Sequence, residues 1–123
     1  MSIAAAGHIR ERWAFRLPLP PNQNHMYIPV RGGAKVLTAE ARQFRKDVAV
    51  LLPPGFRPSL ERRYSVMVWF HFPSDRSDID GCLKALLDAC FGSRADHRVY
   101  SLHARKAVDK LRPRCTVRIA EVA

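Results

Sequence analysis

Residues 64–72, "YSVMVWFHF", place Tyr64, Val66, Val68, Phe70 and Phe72 at every second position. Only an extended chain puts residues two apart on the same side, so this run is a strand with one broad apolar face. Pro73 lacks a backbone donor and closes it. A face this bulky must be covered by another layer. The chain therefore needs a sheet with helices or a second sheet packed against it.

Other stretches supply the remaining pieces. "RWAFRL" (12–17) alternates Trp13, Phe15 and Leu17 on one side, as a half-buried strand does. "PLPPNQN" then interrupts regular structure, because Pro18, Pro20 and Pro21 have no backbone donor. "RGGAK" (31–35) reads as a mobile basic loop. Thr38 is placed to cap a helix reaching about Leu52, with Ala41, Phe44, Val48 and Leu51 inward and Arg42, Arg45 and Lys46 outward. A second helix follows "SDRS", its buried stripe formed by Ile79, Cys82, Leu83, Leu86, Leu87 and Cys90. "VYSLHARKA" and "RCTVRIAEV" both alternate, and "DKLRP" between them predicts a hairpin connection. About four strands and two helices make an α+β fold. The expected form is a two-layer sandwich: a mixed sheet with both helices on one face, one domain over residues 1–123, and 1–11 as a flexible extension.

At 123 residues and 47% apolar content, the chain can bury one core. No apolar run approaches the roughly 20 residues of a membrane span, and "MSIAAAGHIRE" does not read as a signal peptide. Cys82, Cys90 and Cys115 show no paired metal-ligand spacing, and an odd number argues against a disulfide framework. A cytoplasmic location is expected. Lysine and arginine number 21 against 11 acids, a net charge of +10. Basic residues spread through the chain point to a folded surface that attracts a polyanion, nucleic acid above all.

Against that background, "SDIDGCLKALLDA" (77–89) stands out as acidic. Two readings share its residues. In one, Ser77 or Asp78 caps the helix, Asp80 complements its dipole, and Lys84 pairs with Asp80 and Asp88 on the outer face. In the other, Asp78 and Asp80 are hard oxygen ligands for Mg²⁺, joined by Asp96 from the loop "RADHRV", while surrounding cations hold a phosphodiester. His71 and His103 fall within strands and read as strand residues rather than ligands.

The order of these residues resembles a known family. "DIDGCLKALLDA" followed by "ADHRV" is similar to the signature of RusA-type Holliday junction resolvases, roughly D-x-D-N-x-x-K-x-x-x-D-A and then D-D-x-Q-V. "LPLPPNQNHMY" resembles the family's opening and "VLTAEARQFRKDVA" its first helix, so the likeness runs from Trp13 to Val122. It implies a homodimeric nuclease that nicks four-way junctions in recombination and repair. Asp78, Asp80 and Asp96 would hold Mg²⁺, with Mn²⁺ a substitute. Lys84 would be the catalytic lysine, offsetting charge on the attacked phosphate or assisting the attacking water. Gly81, Ala95 and Arg98 depart from the pattern, which has Asn, Asp and Gln there. Asn24, Arg31, Lys35 and Arg76, on loops, are the expected contacts to DNA. The rival expectation is a non-catalytic basic DNA-binding protein whose acids only cap a helix.

Overall fold

The computed structural model describes residues 9–122, with side chains from Arg12 onward. In chain order the elements are β1 (Ile9–Leu17), β2 (Tyr27–Pro29), β3 (Lys35–Leu37), α1 (Ala39–Leu51), β4 (Arg63–Phe72), α2 (Ile79–Ala95), β5 (Val99–Val108) and β6 (Arg114–Val122). The main sheet has the order β1-β6-β4-β5, and β2 pairs with β3 in a separate small hairpin. β4 is parallel to β5 and antiparallel to β6, so the sheet is mixed. This is an α+β fold, as the strand and helix count predicts.

β4 is central because its alternation is the most complete. Tyr64, Val66, Val68, Phe70 and Phe72 are all buried, and Phe70 has no exposed surface. Each such side chain contributes about 1.5–3 kcal/mol by leaving water. Trp13, Phe15 and Leu17 of β1 lie in register with Ile119, Val117 and Cys115 of β6, extending the same face. Phe44 and Val48 of α1, and Cys82, Leu86 and Cys90 of α2, pack on it in a single core. Both helices therefore cover one face of the sheet.

Several expectations change. β1 begins at Ile9, because Ile9 and Glu11 continue the ladder to Val122 and Glu121; residues 1–8 of the expected extension lie outside the described residues. "DKLRP" is not a hairpin turn: β5 and β6 flank β4 and do not pair. A parallel partner needs a crossover, which α2 provides, and β6 then takes the opposite edge of β4. Asp109 organises the crossing, its N–H donating to the Phe72 carbonyl at 2.7 Å while its carboxylate accepts from Leu111 N, Arg112 N and Arg114 Nη1. "RGGAK" is the turn and first strand residue of a hairpin, with Gly32 and Gly33 at φ 89° and 80°. The flanking pairs, such as Tyr27 with Leu37, are too short to announce themselves by alternation.

Thr38 caps α1, its hydroxyl accepting from Ala41 N at 3.1 Å. Ala41, Phe44 and Val48 are buried, but Leu51, expected on the inward face, is 47% exposed, and Leu52 packs against the core in its place. Met26, 2% exposed, packs with Ala41 and Ala85 and ties the β2–β3 segment to both helices. Among the described residues the opposite face of the sheet carries no helix. Trp69 projects there, 41% exposed.

Candidate active site

The chain leaves β4, passes through a short loop and enters α2, so the first turn of α2 sits at the carboxyl end of a central strand. Asp78 occupies the cap position with extended backbone (φ −101°, ψ 139°), yet its side chain makes no capping hydrogen bond. Asp80 lies in the first turn, near the positive end of the helix dipole. Among the described residues, neither carboxylate has a hydrogen-bonded or ion-paired side-chain partner. The loop before them is pinned by Lys106, whose ammonium donates to the carbonyls of Asp75 (2.7 Å) and Ser77 (3.0 Å). Lys106 pairs in register with Phe70, on the helix-covered side of the sheet. A lysine in the inward row of "LHARKAV" is the sequence signal that could have revealed this anchor.

A second anchor comes from the proline-rich segment. A Cβ placed on Gly81 would lie 2.5 Å from Asn22 Nδ2, so the Asn22 amide occupies the space a side chain at 81 would need. Asn22 also accepts from Asn24 N through Oδ1 at 2.9 Å, which sets the turn Gln23–His25 against α2. The glycine that departs from the resolvase signature thus faces an asparagine supplied from elsewhere in the chain.

Lys84 is the hub. It lies one turn after Asp80, but its ammonium pairs with Asp88 Oδ1 at 3.1 Å and Asp96 Oδ2 at 3.3 Å rather than with Asp80. Asp88 is 9% exposed, so it is not an outer-face residue; it is the buried acceptor that orients Lys84. Asp96 reaches Lys84 because the helix breaks at Gly92 (φ 73°, ψ 162°), after which the chain folds back along α2. A left-handed φ of this kind suits glycine alone. The bond and charge of Asp88, then those of Asp96, raise the Lys84 pKa above its ordinary value. The ammonium is held charged at neutral pH. It can stabilise a negative oxygen, but it cannot serve as a base there.

The carboxylates of Asp78, Asp80 and Asp96 are donors of the kind Mg²⁺ takes. Their arrangement is not a finished metal cup: among the described residues, no three His, Cys, Asp or Glu side chains converge closely enough to hold a metal ion. Asp96 is engaged by Lys84 instead. No protein-family model and no curated protein matches the chain.

Of the expected DNA contacts, Asn24 is exposed on the turn that Asn22 holds against α2. Arg76 is exposed on the loop two residues before Asp78. Arg31 and Lys35 are exposed on the β2–β3 hairpin, anchored beneath by Met26 and Leu37 against Ala85. Among the described residues none of the three cations is spent on a side-chain ion pair. Cys82, Cys90 and Cys115 are free and buried, and burial raises their pKa values to about 11, 12 and 12. Their thiols stay protonated and serve packing. Cys82 and Cys115 reach the carbonyls of Pro20 and Pro18 at 3.5 and 3.6 Å, binding the proline segment to the core.

Proposed function

We propose that this chain is a metal-dependent endodeoxyribonuclease that resolves four-way (Holliday) DNA junctions in recombination and repair, acting as a homodimer in the cytoplasm. The observation that carries the reading is Lys84, held by a buried aspartate and by Asp96 in the one acidic stretch, 78–96, of a chain of net charge +10. The RusA-like order of Asp78, Asp80, Lys84 and Asp96 supports it. A purely capping role is disfavoured, because Asp78 makes no capping bond and Asp80 no ion pair with Lys84.

In this reading the DNA backbone approaches across the β2–β3 hairpin and the loop before α2, where Arg31, Lys35 and Arg76 neutralise phosphates and Asn24 donates a hydrogen bond. Lys84 faces the scissile phosphate and offsets the charge that develops on its oxygens. Asp88 keeps that ammonium in place without competing for the substrate, since it is buried beneath it. Mg²⁺, or Mn²⁺ in its stead, would be held by Asp78, Asp80 and Asp96 and supply an activated water and a polarised phosphate. Lys84 must loosen its hold on Asp96 for that carboxylate to serve, and an incoming phosphate offers the ammonium a replacement anion. Two related nicks call for two sites, which a two-fold dimer provides most simply.

The deciding experiment compares cleavage of a four-way junction and a linear duplex of the same sequence, with Mg²⁺ and with chelator. Metal-dependent nicks confined to the junction support the reading. Tight junction binding with no cleavage under any metal would instead mark a non-catalytic basic DNA-binding protein.

A further inference from the structure

The helices cover one face of the sheet, and among the described residues no element packs on the other. Register places Arg16, Thr116, Trp69 and Arg105 in one row across all four strands of that bare face. In the adjacent row Arg118 and His103 flank Met67. Among the described residues no strand carboxylate points to this side, and Asp109 at its margin is already paired with Arg114 at 2.8 Å. Arg16 and Arg118 have no side-chain ion pair or hydrogen bond among the described residues. The Arg105 guanidinium lies 5.5 Å from the centroid of the Trp69 ring, which is 41% exposed. Neighbouring strands are about 4.8 Å apart, so a row spans roughly 14 Å.

An exposed tryptophan in the middle of a strand leaves apolar ring surface in water, at a cost of about 25 cal/mol for each Å². The cations around it decide what can cover it. A second copy packed face to face would set arginines against arginines with no carboxylates to pair them. A polyanion meets the opposite condition. A flat ring at the centre of the platform also favours a strand whose bases are free to stack, because duplex bases present no open face to it.

We propose that the open face of the sheet binds single-stranded DNA, with a base stacked on Trp69 and phosphates held by Arg16, Arg105 and Arg118. The surface lies on the far side of the sheet from Lys84 and Asp96. It does not rest on the nuclease reading, and its test omits metal. Beside a cutting site it would hold an unpaired strand while the other face holds the duplex arms.

The test titrates fluorescein-labelled oligothymidine with the full chain in chelator, across a salt series. Trp69→Ala should weaken binding about tenfold by loss of stacking, with little change in salt dependence. Arg16→Ser/Arg105→Ser/Arg118→Ser should weaken it further and reduce the slope of log K against log salt by about 2, at roughly 0.7 for each phosphate no longer neutralised. Arg16→Lys/Arg118→Lys keeps the charge and should keep the slope, and circular dichroism of every variant checks the fold. Two tryptophans are present, Trp13 and Trp69, so emission quenching by the oligonucleotide should vanish in Trp69→Phe. Wild-type affinity and slope in the folded triple variant would overturn the proposal. So would duplex outcompeting oligothymidine with no dependence on Trp69, or sedimentation showing a dimer that Trp69→Ala dissociates. Junction cleavage can be absent while these results hold, so the two readings fail separately.

Discussion

Lys84 and Asp96 are twelve residues apart in sequence and 3.3 Å apart in space. Asp88, buried below, holds the other side of the same ammonium at 3.1 Å. Charge, orientation and the return of the chain at Gly92 meet in this contact.

Asp96→Asn keeps size and most hydrogen bonding while removing the charge. On the proposed mechanism it should nearly abolish junction nicking, with melting temperature and metal-free junction affinity unchanged. Lys84→Ala should lower the cleavage rate far more than affinity, because its charge faces the reacting phosphate. Single-turnover rates beside binding isotherms check both. An Asp96→Asn variant that cuts at the wild-type rate would remove Asp96 from the site.

Gly92 tests how Asp96 arrives there. Alanine cannot hold φ 73° without strain, so Gly92→Ala should cost about 1–3 kcal/mol and pull Asp96 away from Lys84. Denaturant melts measure the first effect. The second should appear as loss of nicking in a protein still folded at room temperature.

The lysine also sets a pH dependence. A group whose pKa is raised in the folded state adds stability below its ordinary value, here 10.5, and that stability is lost as pH rises through the raised value. Wild type should therefore lose more melting temperature than Lys84→Met between neutral pH and pH about 11. Asp109 acts in the opposite sense. Its pKa is lowered by Arg114 and the turn N–H groups, so its contribution is present above 3.8 and lost as pH falls through the lowered value. Asp109→Asn should flatten the acid limb. Equal pH profiles in wild type and both variants would rule out either linkage.

Gly81 and Asn22 should behave as a coupled pair. Gly81→Ala gains roughly 1 kcal/mol of helix propensity but drives the new methyl into the Asn22 amide, 2.5 Å away, breaking its bond to Asn24 N at about 0.5–1.5 kcal/mol. The double variant Asn22→Ala/Gly81→Ala, freed of the collision, should be more stable than the two single effects sum to. A double-mutant cycle on melting data reads the coupling. Strict additivity would mean the two side chains do not meet.

DNA affinity should fall steeply with salt. Removing charge at Arg31, Lys35 and Arg76 should reduce the slope of log K against log salt by up to about 2.7 on a duplex-armed junction, at roughly 0.9 per phosphate. An unchanged slope would place the backbone elsewhere.

Local physics made much of this protein legible from its sequence. The inward row of β4, the cap at Thr38 and the stripe of α2 follow from periods of two and 3.6 residues, and those periods hold wherever one face is buried. The two-layer α+β form follows from them, because each apolar face needs a cover. Long-range relations were not legible. Nothing local says that β6 passes β5 to pair with β4, since both edges of β4 offer the same hydrogen-bonding groups. The β2–β3 ladder is too short to alternate visibly. Asp88 reads as an outer-face residue in the helical pattern and is buried once the chain folds. Lys106, inward among apolar residues, acquires meaning only when the loop before Asp78 lies over it. The acids at 78, 80, 88 and 96 were visible as residues. That Lys84 holds Asp96 as well as its helical neighbour Asp88 was settled by the reversal at Gly92, a backbone event whose consequence lies a full turn of helix away from the glycine that permits it.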